Sequence, residues 1–439
     1  MTTIHESRRS AGDVPVRHQA AAAPEVDRWP ADDWPAEVRP ADDQPAIADI
    51  RGGEPALRLS WTDPVTGATG HLVVHTLVSG LATGGTRMRA GCTQHEVEDL
   101  ARAMSAKMAA FEIPVGGAKG GIDLDPRDPR ATGVLERFYA AMAPWPDQHW
   151  VTAEDLGVTQ EIIDDVFLRL GLDQSYHAAI SRAPDPAAAL RRVRAGLAAT
   201  VPGGALLAEV IGGYGVAQAC LGVADTWSWD VPATTVAVQG VGTMGGGASW
   251  YLHEAGMRVV ALADVAGTLY RPEGLDVPSL LALRDDYGEI DRSRVPDGVR
   301  QLPRDAVMSL PADILVPAAV SYAINERNVA DIAASVVVEA ANAATTPEAE
   351  AALLARGVPV VPDFVVNAGG AAWAWWLLQG QVATDPEDTF GRLRTEMRPK
   401  IVHLLAAWDT AGTAPRQSAW ELCGANLHAL AGAPRIDIP

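Results

Sequence analysis

The stretch Thr234-Thr-Val-Ala-Val-Gln-Gly-Val-Gly-Thr-Met-Gly constrains the fold of this chain more than any other. A β-branched strand runs into Gly240, Gly242 and Gly245, with Thr243 and Met244 between them. A helix is expected over Ala248 to Ala255, then a second strand from Met257 that ends at Asp264, 24 positions beyond Gly240. Strand, glycine turn, helix, strand and acid in that order form a dinucleotide-binding unit, because the glycines let a pyrophosphate reach the N-terminus of the helix. Asp264 is placed to bond a ribose hydroxyl, and its charge would repel a 2′-phosphate, so NAD is expected rather than NADP. Further strands at Ile314-Leu-Val-Pro, Val336-Val-Val and Val358-Pro-Val-Val extend a parallel, doubly wound sheet. Asn342 and Asn367 follow two of these strands, where ligands bind in such sheets, although either could serve as a helix cap or turn former.

A second stretch, Pro114-Val-Gly-Gly-Ala-Lys-Gly-Gly-Ile-Asp, holds Lys119 between two glycine pairs and reads as a loop. The absence of side chains lets a substrate or a second backbone approach that lysine. Of 35 Lys+Arg only Lys107, Lys119 and Lys400 are lysines, leaving 32 arginines. A GC-rich genome would explain the scarcity but not the placement. Arginine stays protonated, whereas a lysine with a lowered pKa can act as base or nucleophile, which marks Lys119 for chemistry.

A chain of 439 residues with 48% hydrophobic content is expected to form two domains. The expected layout is a disordered leader over 1–50, a substrate and oligomerisation domain over 51–205, a dinucleotide domain over 206–365, and C-terminal helices over 366–439 that pack back on the first domain. The leader is rich in proline and paired aspartates, with a near-repeat around Trp29 and Trp34. A net charge of −20 argues against nucleic acid or an anionic membrane as partner and for a small soluble substrate. Three scattered cysteines fit a reducing cytoplasm and neither a zinc site nor a disulfide framework. No apolar run reads as membrane-spanning.

Alternation at Leu57, Leu59 and Trp61, a turn at Asp63, and His71 to Val78 predict a β-hairpin. Gly84-Gly-Thr-Arg-Met-Arg follows as a glycine-led loop. Thr93-Gln-His-Glu96 has the capping-box pattern and opens a helix whose apolar stripe places Lys107 at its edge. Lys107 there needs a partner or a ligand, or else lays its stem along apolar surface with its amine in water. In Thr152-Ala-Glu-Asp-Leu-Gly a strand ends on Glu154 and Asp155, either of which could carry a proton opposite Lys119. Residues 171–205 read as a helical insertion or an inter-domain segment without an assigned role. A helix is expected from Ala371 through Trp373, Trp375 and Trp376.

Gly84-Gly-Thr-Arg-Met, Pro114 to Gly121, Thr152 to Gly157, Gln239-Gly-Val-Gly, Glu339-Ala-Ala-Asn and Pro362-Asp-Phe-Val-Val-Asn-Ala-Gly-Gly occur in one order. Over roughly residues 55–430 that order resembles the glutamate/leucine/phenylalanine/valine dehydrogenase family, most closely its leucine and phenylalanine branch. The resemblance implies two α/β domains, one of them a Rossmann-type NAD-binding domain, and homo-oligomers built through the first. It implies that Lys107 holds the substrate α-carboxylate beside Gly84 and Gly85, that Lys119 is the low-pKa lysine activating water, and that Asp155 shuttles a proton. Asn342 and Asn367 would line the nicotinamide end. The implied reaction is NAD-dependent oxidative deamination of an L-amino acid to a 2-oxo acid and ammonia, or its reverse. Glutamate-acting relatives carry a lysine where this chain has Thr83, so a glutamate side chain would lack its counter-charge. Ala371 and Ala374 are the positions that would face the substrate side chain, and their small size predicts a bulky apolar or aromatic substrate. Gly212 stands where relatives carry a threonine contacting the nicotinamide amide. That departure leaves open a second reading, a non-catalytic dinucleotide-binding or regulatory subunit.

Overall fold

The hairpin forms as its alternation requires: β1 (Leu57–Thr62) pairs antiparallel with β2 (Thr69–Val74), Leu57 opposite Val74. The computed structural model describes residues 50–285, 288–431 and 438, so the expected leader, with Trp29 and Trp34, lies outside the described residues apart from Ile50. With β3 (Ala82–Thr83), β4 (Thr86–Met88), β5 (Gly116–Asp123) and β6 (Trp150–Val151), the hairpin makes a six-stranded sheet in the order β1-β2-β5-β3-β6, β4 pairing with β5.

The Lys119 stretch is therefore not a loop: it is the central strand β5, buried from Gly116 through Ile122. Its glycines answer to packing. A Cβ on Gly117 would fall 2.1 Å from the Ser105 amide nitrogen, and one on Gly121 would fall 2.3 Å from Val97. Both contacts lie on helix α1 (Gln94–Ala110), which can lie flat on the strand only where side chains are missing. On Gly120 a Cβ would come within 2.8 Å of the Trp150 ring. Thr93 caps α1 by accepting from the Glu96 amide at 3.2 Å. The Glu96 carboxylate does not close the capping box. It pairs instead with Arg87 and Arg89.

Helices α2 (Ala131–Ala141), α3 (Gln160–Arg169), α4 (His177–Ile180) and α5 (Pro186–Leu197) follow, and the last two give residues 171–205 their helical parts. Next comes α6 (Leu207–Trp227), long and apolar enough to cross a membrane by composition, contrary to the sequence reading. Of its most apolar window, 78% is buried inside the protein, where α6 packs against the helix after the glycine turn and a long C-terminal helix.

The second sheet is built from β7 (Thr235–Gln239), β8 (Arg258–Ala263), β9 (Thr268–Tyr270), β10 (Arg300–Leu302), β11 (Ile314–Pro317), β12 (Val336–Val338) and β13 (Val360–Val361). Its order is β10-β9-β8-β7-β11-β12-β13. The five strands from β8 to β13 pair in parallel, while β9 and β10 add an antiparallel edge that the parallel reading had not included. Helices α7 (Thr243–Glu254), α8 (Val277–Leu281) and α9 (Pro347–Ala355) connect these strands. The chain ends in α10 (Asp363–Val366), α11 (Gly369–Leu378), α12 (Pro386–Ala411) and α13 (Pro415–Ala431). Helix α12 lies on α6, and α13 lies on α1. Trp373, Trp375 and Trp376 are all core residues.

Candidate active site

Three elements converge on Lys119. It projects from β5, and its ammonium donates to Asp155 Oδ1 at 2.9 Å, with only 6% of the side chain exposed. Asp155 follows β6 and is the acid that meets Lys119, while its neighbour Glu154 is exposed. Gly85 permits this approach, since a Cβ there would lie 2.6 Å from the Glu154 carbonyl and 3.2 Å from the Asp155 Cβ. Gly84 is equally constrained: a Cβ would meet the Ala118 carbonyl oxygen at 1.7 Å. The other carboxylate oxygen of Asp155 accepts from Arg87 Nε at 2.6 Å. Burial pushes the Asp155 carboxyl upward, but Lys119 and Arg87 outweigh it and hold the group well below the usual carboxylate range.

Lys107, in the last turn of α1, donates to Asn342 Oδ1 at 3.0 Å. Asn367 donates to the same oxygen at 3.0 Å and to the Ala340 carbonyl at 3.1 Å, leaving its own Oδ1 buried without a partner. Burial lowers the Lys107 pKa to about 8; Asp363 opposes the shift and Lys119 adds to it. A lysine 12 positions from Lys119 in sequence and asparagines from two strand ends thus join one hydrogen-bonded row. Ala371 and Ala374 sit half-buried on α11, one to two turns beyond Asn367. Thr83 is buried and donates to the Val151 carbonyl at 3.2 Å, so that position brings no charge.

The asparagine row rests on a cluster that the sequence reading missed. Arg416 of α13 reaches Glu339 and Glu350 at 2.6 Å each and Asp363 at 3.3 Å. Glu339 accepts from the Thr345 amide and Asp363 from the Ala343 amide, both bracketing Asn342. Ala343 itself has φ +48°, a left-handed conformation that these bonds hold in place.

At the glycine turn, β7 and β11 form the switch point of the sheet, since β8 lies on one side of β7 and β11 on the other. Gly240 has φ +94°, and a Cβ on Gly245 would lie 2.0 Å from the Gly240 carbonyl oxygen. Nothing lies within 4 Å of a Cβ on Gly242, so the turn is open on the side where α7 begins. An open glycine at a helix N-terminus fits a pyrophosphate. Helix α7 starts at Thr243, earlier than the Ala248 expected, so Thr243 and Met244 belong to its first turn.

Two residues at this end have partners of their own. Asp264 is engaged by four donors. Oδ1 accepts from the Ala266 and Gly267 amides and from Arg292, and Oδ2 accepts from the Ile290 amide. Three of those donors converge on Oδ1 and one on Oδ2, which retains a lone pair for a further donor. Arg292 also compensates the charge that was to exclude a 2′-phosphate. At Gly212 a Cβ would meet Met244 Cε at 3.0 Å and Sδ at 3.2 Å, so the thioether of the glycine turn's methionine lies against that position.

Fold and site together define a dinucleotide-binding α/β protein with a buried lysine–carboxylate pair. Residues 203–428 match the family model for Glutamate/Leucine/Phenylalanine/Valine dehydrogenase, and residues 58–169 match that for the Glu/Leu/Phe/Val dehydrogenase dimerisation domain; the chain belongs to this family. Similar curated proteins include glutamate dehydrogenase of Thermotoga maritima, 34% identical over 70% of this chain and 71% of the relative. NADP-specific glutamate dehydrogenase A1 of Halobacterium salinarum is 33% identical over 75% and 76%. NAD-specific glutamate dehydrogenase of Staphylococcus aureus is 30% identical over 78% of each chain. Among solved structures, the hetero-hexameric glutamate dehydrogenase of Thermus thermophilus superposes with a TM-score of 0.68 at 28% identity, covering 86% of this chain and 89% of the other.

Proposed function

We propose that this protein is a nicotinamide-dinucleotide-dependent L-amino acid dehydrogenase that deaminates a bulky apolar or aromatic amino acid to its 2-oxo acid and ammonia, or runs the reverse reaction. The observation that carries this reading is the buried Lys119–Asp155 pair at 2.9 Å beside Lys107. A bound nicotinamide would supply the hydride acceptor. Lys107 binds the α-carboxylate, exchanging its bond to Asn342 for a charged partner. Asp155 takes the proton that leaves the substrate nitrogen as the Cα–H electron pair departs and a C=N bond forms. Once its ammonium has released a proton, the Lys119 amine takes one from the water that adds to that carbon; Asp155 returns its proton to the nitrogen, and the C–N bond breaks as the carbinolamine O–H proton is lost, the C=O forms and ammonia leaves. Gly240, Gly242, Gly245, Thr243 and Met244 would hold the pyrophosphate side of the cofactor, and Asn342 and Asn367 its nicotinamide side.

Glutamate is disfavoured even though the similar curated proteins are named for it. Thr83 is neutral, with its hydroxyl bonded to Val151, and Arg87 is already engaged by Asp155 and Glu96. Lys107 supplies a charge for one carboxylate only. With Asp264 neutralised by Arg292, that carboxylate does not discriminate between NAD and NADP, and both belong in the assay. The match to the dimerisation model over residues 58–169 supports assembly of like subunits through the first sheet.

Absorbance at 340 nm, with NAD and NADP and a panel of L-amino acids, tests the reading. Phenylalanine, tryptophan or leucine turning over faster than valine and glutamate is the expected result. Faster turnover of glutamate would overturn the specificity. Silence across the panel in both directions would favour the non-catalytic subunit.

A further inference from the structure

Asp155 does not meet Lys119 alone. Its Oδ2 accepts from Arg87 Nε at 2.6 Å, and Arg87 Nη1 donates onward to Glu96 Oε1 at 2.8 Å. Glu96 is in turn gripped by Arg89. All three of Arg87, Glu96 and Asp155 are largely buried, with side-chain exposures of 13%, 20% and 17%. The chain of contacts runs from the first turn of α1, through β4, to the end of β6, and then to Lys119 on β5. Helix α1 therefore fixes the site at both ends, through Glu96 in its first turn and Lys107 in its last. Glu96 has given up its capping-box bond to take part, a local loss that the Arg87 contact offsets.

We propose that Arg87 is a positioning residue for the proposed dehydrogenase chemistry: anchored by Glu96, it holds Asp155 by Oδ2, keeps it ionised, and leaves Oδ1 free to face Lys119 and the substrate nitrogen. The argument is one of geometry and charge. A guanidinium has donors in a fixed plane, so gripping one carboxylate oxygen with Nε and a second acid with Nη1 sets the carboxylate plane of Asp155 in a way a point charge cannot. The charged groups around Asp155 are Lys119 from β5, Arg87 from β4, and Lys107 and Glu96 from α1. Burial works against the carboxylate, and among the described residues Arg87 and Lys119 are the cations that bond it directly. Without Arg87 the carboxylate loses one of the two cations that hold its pKa down and the only guanidinium fork that fixes its plane among its described partners, while Lys119 remains.

This inference rests on the dehydrogenase reading, so its test has two arms. In the first, kcat/KM is measured against pH for the wild type, Arg87→Gln and Arg87→Lys. The expected result in Arg87→Gln is a kcat at least several-fold low across the pH range, with any acid limb displaced upward, the direction for losing one adjacent opposite charge. Arg87→Lys, which restores charge but not the fork, should recover the pH profile while kcat stays at least several-fold low and KM for the dinucleotide is unchanged. In the second arm, NMR of ¹³C-carboxyl-labelled aspartate, with the Asp155 signal assigned by Asp155→Asn, follows the same titration without turnover. An Arg87→Gln enzyme with the wild-type limb and an unmoved Asp155 titration overturns the proposal. If the wild type reduces no dinucleotide, the dehydrogenase reading fails while the NMR arm still decides the Arg87–Asp155 coupling. Arg87→Lys keeps the test open where Arg87→Gln does not fold.

Discussion

The Lys107 ammonium and the Asn367 amide both donate to Asn342 Oδ1, each at 3.0 Å, so one side-chain oxygen ties the first sheet's helix to the ends of two strands of the second. A substrate carboxylate would be met where that bond is made and broken. The charge state of Lys107 then sets the pH range in which the site can work.

Because burial lowers Lys107 from the ordinary 10.5 to about 8, its ammonium is present below that pH and lost above it. The kcat/KM for the amino acid, which reports the free enzyme, should therefore fall as pH rises through about 8. Lys107→Arg, which cannot deprotonate, should remove that limb even if overall activity drops. The sign for stability is opposite: between about 8 and 10.5 the unfolded chain binds more protons than the folded one, so this group's contribution to stability increases with pH there.

Arg416 is a single cation facing three buried or nearly buried carboxylates. Its removal leaves Glu339 and Asp363 uncompensated and should cost about 3–5 kcal/mol of stability. Urea unfolding of Arg416→Met against the wild type measures it. Loss of dinucleotide-dependent activity at temperatures where the variant is still folded would show that the Asn342 segment depends on this cluster.

Gly212 and Met244 should behave as a pair. Gly212→Thr alone overpacks against the thioether, at a cost of about 1–3 kcal/mol. Combined with Met244→Val it should recover most of that, a coupling measurable as a double-mutant cycle of about 0.5–3 kcal/mol. Additive effects would mean that Met244 does not fill the space over Gly212.

Thr83→Lys should admit a second carboxylate. The expected outcome is a rise of at least about tenfold in kcat/KM for glutamate relative to phenylalanine, since one added opposite charge is worth more than 1.4 kcal/mol in a desolvated site. The 340 nm assay with both amino acids checks it.

Much of this molecule was legible in its sequence because the signals were local. The glycine turn, the β-branched strands and the Thr93 cap each specify their element within a dozen residues. The β5 strand reads as a loop in sequence because glycine is a poor strand former in isolation. Its reason for being there, the flat approach of α1 on Gly117 and Gly121, is tertiary. The same limit hid the partners of the site residues. Arg87 stands 68 positions from Asp155, and Arg416 stands 53 to 77 from the acids it clamps, so no spacing could announce them. Asp264 is legible as the acid after the second strand, but its bonds to Ile290 and Arg292 depend on a loop 26 to 28 residues further on.

Initial rates at 340 nm for the wild type and for Lys119→Ala, with a bulky apolar L-amino acid and dinucleotide at one pH, test the central claim most directly. The account predicts measurable reduction by the wild type and a fall of about 10²–10⁴-fold in kcat in the variant, the range for losing a positioned proton carrier. Undiminished turnover in Lys119→Ala would contradict it.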